Sequence, residues 1–103
     1  MEDRAAQDLR EKLKLVIDPE LMVNIVDLGL VYRIAYLEEA RRIELDISLT
    51  TRACPLGALI VADVQHIAEE ANPGWRVDVQ IVWDPPWTPE MMSEAARETL
   101  GRA

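Results

Sequence analysis

The chain has 103 residues, with 11 Lys+Arg against 19 Asp+Glu and a formal net charge of −8. A chain of that length, 50% hydrophobic and 29% charged, fits one globular domain spanning 1–103 rather than two and argues against intrinsic disorder. The acidic balance argues against nucleic-acid and anionic-membrane partners, which need a basic patch, and the single cysteine excludes an internal disulfide, a CxxC redox pair and an all-cysteine zinc site.

The first segment, Ala5 to Ile17, places Leu9, Leu13, Val16 and Ile17 on one helical stripe with charged residues elsewhere, which predicts an amphipathic helix. It should stop at Asp18-Pro19, because a residue before proline is biased away from the α region. The N-terminal MEDRAAQDLREKLK has no apolar signal core, and no stretch approaches the roughly 18 apolar residues of a membrane span. A reduced, cytoplasmic setting is the expectation. Residues Pro19 to Gly29 read as a loop whose Gly29 supplies a positive φ.

Leu30 to Leu37 and Arg42 to Leu49 read as strands joined by a short turn, and in the second Ile43, Leu45, Ile47 and Leu49 alternate with Glu44, Asp46 and Ser48. Such alternation means one buried and one wet face. Leu56 to Ala71 carries a helical stripe ended by Asn72-Pro73-Gly74. Val77, Val79, Ile81 and Trp83 then alternate as a third strand, Asp84-Pro85-Pro86-Trp87 cannot be a central strand, and Thr88-Pro89-Glu90 looks like the start of a last helix ending near Leu100. The expected fold is α+β, a two-layer sandwich in the order α-β-β-α-β-α, with a three-stranded mixed sheet and helices on one face.

Chemistry concentrates in Leu49 to Gly57, LTTRACPLG, at the junction of a strand and a helix. Pro55 suits the first helical position, which would make Cys54 the N-cap, where the helix dipole and free N–H groups favour thiolate. Arg52 adds positive charge, and Thr50 and Thr51 add hydroxyls. Free cysteines are also often inert core residues, and spacing leaves both readings open. One thiolate cannot hold an iron-sulfur cluster alone, so any cluster must be bridged between chains. His66 falls on the flank of its helix and reads as solvated. Asp18 and Glu20, either side of Pro19, are cap-like acids as well as candidates for acid-base work, and Asp27 equally suits a turn. Trp83, Trp87, Met91 and Met92 fit a docking surface or a core plug. Dinucleotide, P-loop, zincin, hydrolase and thioredoxin motifs are missing, as is the GXXG clamp of KH-type RNA binders.

Four stretches in one order, DPEL, NIVDLGLVY, LTT-x-x-CPLG and VWDPPWTPEMMSEAAR, resemble the metal-sulfur cluster assembly family of SufT-like and PaaD-like proteins and cytosolic iron-sulfur targeting factors. The resemblance runs from about Leu9 to Leu100. It implies a domain similar to the NifU cluster scaffold, without the NifU cysteine pair. It carries over Asp18, Glu20, Leu21, Asp27, Gly29, Thr50, Thr51, Cys54 and Pro55, with Asp84, Pro85, Pro86, Trp87 and Thr88 in the C-terminal signature. Relatives commonly have a small pair such as Pro-Gly where this chain has Arg52-Ala53. The implied role is an accessory factor rather than an enzyme, with Cys54 the functional thiol and candidate cluster ligand, rimmed by Asp18, Glu20, Thr50 and Thr51. Its implied cofactor is a transient iron-sulfur cluster shared between chains, with a homodimer one way to share it. Its implied partners are the iron-sulfur assembly machinery or apo client proteins. The alternatives are a metal-free adaptor for a PaaD-type ring-oxygenase system and, more weakly, a thiol enzyme, for which His66 is badly placed as base.

Overall fold

The computed structural model describes residues 2–52 and 55–101. Helix α1 covers Arg4–Lys12 and is capped by Asp3, whose carboxylate accepts from Ala6 N at 2.9 Å. Its apolar stripe is buried through Ala6, Leu9 and Leu13. The helix is shorter than the periodicity implies. A single 3-10 turn, Leu13–Leu15, follows it, and Val16 is already extended. The cause is a local pairing: Ile25 N donates to Val16 O at 3.0 Å and Asp18 N to Val23 O at 2.9 Å, with Ile17 bridged to Asn24. Extension points Val16 and Asp18 inward and leaves Ile17 44% exposed, so Ile17 leaves the stripe expected of it.

Strand β1 (Val31–Leu37) and strand β2 (Arg42–Ile47) pair antiparallel around a turn in which Arg41 has φ +49°. Helix α2 (Gly57–Ala71) then crosses over to strand β3 (Arg76–Ile81), which runs parallel to β2, giving a mixed sheet of order β1-β2-β3. Ile43, Leu45 and Ile47 on the central strand are fully buried, and α1 and α2 pack on that side of the sheet with Ile60, Val64 and Ala68 among the residues closing the core. The alternation therefore works as expected: the other face carries an ionic ladder in which Arg33 reaches Glu44 and Asp46 at 3.0 and 2.9 Å and Arg42 reaches Glu44 at 3.1 Å. The α+β architecture and element order are those expected from the sequence.

The C-terminal region departs from a single helix. Pro89–Met91 forms only a 3-10 turn and Thr88 makes no side-chain cap. Helix α3 starts later, at Glu94, and runs to Gly101, with Ser93 as the capping residue: its hydroxyl accepts from Ala96 N at 3.1 Å. A tertiary tie explains the break, because Ser93 N donates to Asp27 O at 2.7 Å and holds Met92 extended. Because β2 and β3 are parallel, the segments leaving both, 48–52 and 82–88, emerge at one end of the sheet. That end also receives the loop feeding β1 and the start of α2.

Candidate functional site

The LTTRACPLG segment leaves β2 through Ser48, whose N–H donates to Leu30 O at 2.8 Å, and Leu49, which is buried. Thr50 is half-buried, while Thr51, Arg52, Pro55 and Leu56 are exposed. The helix does not begin at Pro55. Leu56 is the N-cap and Gly57 the first helical residue, so Pro55 does not hold the first helical position expected from the sequence. Gly57 is buried against Leu49: a Cβ there would lie 2.7 Å from Leu49 Cδ1, so a larger residue would require the Leu49 side chain to shift. Cys54 itself, with Ala53, lies outside the described residues.

The facing wall is the 83–88 segment, tied down from the β1 side. Trp87 Nε1–H donates to Leu28 O at 2.6 Å, and the Tyr32 hydroxyl donates to Pro85 O at 2.8 Å, next to a cis Asp84-Pro85 bond. Gly29, at φ +81°, closes the brace: a Cβ there would fall 2.4 Å from Met91 O. Arg52 reaches across to this wall and places its guanidinium carbon 4.6 Å from the Trp83 ring centroid. Leu49, Thr50, Thr51 and Arg52 thus face Trp83, Pro86 and Trp87 across a cleft of about 160 Å³.

Two of the four rim residues expected around the thiol, Thr50 and Thr51, line this cleft. Asp18 and Glu20 are not among its lining residues. Asp18 is 1% exposed and spends Oδ1 on Glu20 N and Leu21 N at 2.8 and 3.0 Å, while its carbonyl accepts from Met22 N at 2.8 Å. It is the keystone of a turn in which Met22 takes φ +59°. Glu20 is exposed on that turn. Asp27 exchanges bonds with Asn24, accepting from its Nδ2 at 2.7 Å and donating its own N–H to Oδ1 at 2.9 Å. The DPEL motif therefore builds a turn, and NIVDLG leads into the Leu28–Gly29 contacts that hold Trp87 and Met91. Asp84 and Thr88 are exposed.

Trp83, Trp87 and Met92 pack against the core, so the C-terminal motif contributes walls and core filling as well as surface. His66 lies exposed 3.4 Å from Glu70, as a solvated flank residue would. Among the described residues no three of His, Cys, Asp and Glu gather where they could hold a metal. The Tyr32 hydroxyl bond and the Arg52–Trp83 stack went unread in the sequence; each joins residues far apart in the chain, and only the unusual Arg52 beside the motif hinted at the second.

Comparisons with known proteins return the same α+β fold. The family model described as "Iron-sulfur cluster assembly protein" matches residues 6–81. The chain is 42% identical to the Fe-S protein maturation auxiliary factor SufT of Staphylococcus aureus over 84% of its length and 98% of that protein, and 38% identical to the auxiliary factor YitW of Bacillus subtilis over 98% of both. The fold is similar to a domain of unknown function from Bacillus anthracis, at a TM-score of 0.88 and 37% identity over 95% of this chain and 92% of that one. It is also similar to a conserved hypothetical protein of Thermotoga maritima, at 0.77 and 38%, with 92% of each chain covered. The chain belongs to the iron-sulfur cluster assembly protein family. Among the described residues no helix is long and apolar enough to cross a membrane.

Proposed function

We propose that this protein is an accessory factor in the maturation of iron-sulfur proteins, and that Cys54 is the residue through which it handles iron or cluster. The observation that supports the reading is the cleft formed at one end of the sheet by the braced 83–88 wall and the Thr50–Arg52 strip, which in sequence leads directly into the chain's one cysteine. Ligands of α/β sheets characteristically sit outside the carboxyl ends of parallel strands, and β2 and β3 are such a pair. Homologues named as Fe-S protein maturation auxiliary factors support the same role.

The chemistry open to the site is ligation and handover rather than turnover. A thiolate is a good ligand for iron, but clusters ordinarily take four protein ligands and this chain has one cysteine. A cluster held here is cargo, shared with a second copy or with a client. Cytoplasmic action on assembly proteins and apo clients follows from that role. Anaerobic reconstitution with iron and sulfide, read by visible absorption, iron assay and size-exclusion chromatography, tests it. The reading expects iron to be retained by a species larger than the monomer in wild type and lost in Cys54→Ser. Iron retention unchanged by Cys54→Ser would overturn the role given to the thiol and favour the metal-free adaptor.

A further inference from the structure

The two edges of the sheet are finished differently. Along β1, helix α1 packs beside the strand, and Arg10, which donates to the Glu2 carboxylate at 2.9 Å, also donates to Val31 O at 2.8 Å, so a charged side chain occupies that edge. Strand β3 packs only against β2 and α2 among the described elements. Its inward bonds fix its polarity: Arg76 N donates to Arg41 O at 2.9 Å and Val82 N to Ile47 O at 2.8 Å, so residues 76, 78, 80 and 82 turn their backbone groups toward β2. Residues 77, 79 and 81 therefore turn theirs outward. Among the described residues one side chain reaches this edge, Gln65, whose Nε2 donates to Val77 O at 2.9 Å. The three outward residues also put apolar side chains on the helix side of the sheet, grading from Val77, which is buried, to Ile81, which is 38% exposed. The outer edge of β3 is thus a ladder without a second strand, ending in an exposed isoleucine.

A second copy of the chain meets the demands of this edge. Two β3 strands related by a two-fold axis run antiparallel, and an isologous contact must be complementary to itself. Outward residues have to face outward residues, which restricts the register. Centring the pair on Asp78 would set two carboxylates directly opposite each other, which is unfavourable. Centring it on Gln80 leaves only residues 79–81 of the two strands facing one another. Centring it on Val79 sets Val79 opposite Val79 and Val77 opposite Ile81 on the helix side, with Asp78 opposite Gln80 on the other face. The exposed Ile81 of each copy is then covered, and each outward N–H gains a carbonyl. Charge permits the approach, because the chain carries −8 but Arg76 and Asp78 offset each other within the strand, 3.5 Å apart. We propose that this protein forms a two-fold homodimer by antiparallel pairing of β3 with β3 about Val79, joining two three-stranded sheets into one of six. Val77 O exchanges Gln65 for the Ile81 N–H of the second copy. Because the paired strands run in opposite directions, the clefts beyond the carboxyl ends of β2 and β3 lie at opposite ends of the joined sheet. The dimer needs no thiol and so does not rest on the maturation reading.

Sedimentation velocity of the metal-free protein under reducing conditions, across a concentration series, measures the association, and amide hydrogen exchange by NMR locates it. The expected result is a reversible dimer in wild type and Cys54→Ser alike. The amides of Val77, Val79 and Ile81 should exchange more slowly as concentration rises, while those of Arg76, Asp78 and Gln80, which face β2, should not change. Two exposed positions test the pairing without entering the core. Ile81→Lys brings a charge into the contact twice over and should raise the dimer Kd about tenfold or more. Gln80→Lys sets a lysine opposite Asp78 in each half and should lower Kd about two- to tenfold. Circular dichroism and Tm establish that both variants fold. A protein that stays monomeric throughout the series, a dimer in which the three outward amides are unchanged, or Ile81→Lys associating like wild type overturns the proposal. Weaker association in Gln80→Lys overturns the register about Val79. Association lost in Cys54→Ser makes the contact thiol-dependent and overturns it as well. None of these results bears on iron retention by Cys54, so the maturation reading stands or falls separately.

Discussion

Substituting Gly29 by alanine perturbs the brace that holds the cleft wall. Two costs add. An L-residue at φ +81° sits in the left-handed region, at about 1–2 kcal/mol. The new Cβ also lands 2.4 Å from the Met91 carbonyl oxygen, a backbone atom in a turn that Ser93 ties to Asp27, so relief requires moving the 89–93 segment, at about 1–3 kcal/mol. The expected loss is about 2–5 kcal/mol from a total near 5–15 for a chain this size. At about 4–8 °C per kcal/mol, Tm should drop by roughly 8–40 °C. Gly74 supplies the control: it has φ +87° but nothing within 4 Å of its added Cβ, so Gly74→Ala bears the backbone strain alone, about 1 kcal/mol once reduced unfolded-state entropy is counted. Urea or thermal unfolding of both variants isolates the contact. Equal losses at the two sites would refute the idea that Gly29 is required by the approach of Met91.

Other perturbations have signs set by the same geometry. Asp18→Ala strips two part-buried backbone N–H groups of their acceptor and should cost about 1–3 kcal/mol, with Asp18→Asn costing less because one oxygen remains; urea midpoints decide it. Ser48 is buried with an Oγ that has no hydrogen-bond partner among the described residues, so Ser48→Ala should leave stability unchanged or raise it by up to about 1 kcal/mol, and a clear loss would mean the hydroxyl has a partner. The Arg10 guanidinium hydrogen-bonds Glu2 and holds its carboxyl below the ordinary value near 4.5. A folded-state pKa lowered in this way contributes stability above that ordinary value and loses it as pH falls through the folded pKa. Unfolding of wild type should therefore be steeper in pH below about 4.5 than that of Glu2→Gln, and parallel curves would remove the pair from the acid response.

Where local pattern and tertiary packing agree, the sequence was readable. The alternation of Ile43, Leu45 and Ile47 with Glu44 and Asp46 specified a one-sided sheet, because each side chain's face follows from its parity alone. Asn72-Pro73-Gly74 stopped α2 where expected. The misreadings share a cause. Val16 and Ile17 fit a helical stripe, but their backbone pairs with residues 24 and 25; Thr88-Pro89 is a sound local helix start, but the Ser93 tie to Asp27 moves the start to a weaker signal. Pro55 likewise suits a first helical position, but the helix begins at Gly57. At the site, the place of Thr50 and Thr51 at the junction of a strand and a helix was legible in the LTTRACPLG segment. The turn-forming duty of Asp18 needed its burial, and the pairing of Arg52 with Trp83 needed the fold, since 31 residues separate them.

The most direct test of the central claim uses a strain lacking the gene, complemented with wild type or Cys54→Ser, in which the activities of cluster-dependent enzymes are measured in anaerobic extracts alongside the abundance and Tm of the two proteins. The account predicts that wild type restores those activities and that Cys54→Ser, though equally abundant and folded, does not. Full restoration by Cys54→Ser would contradict it.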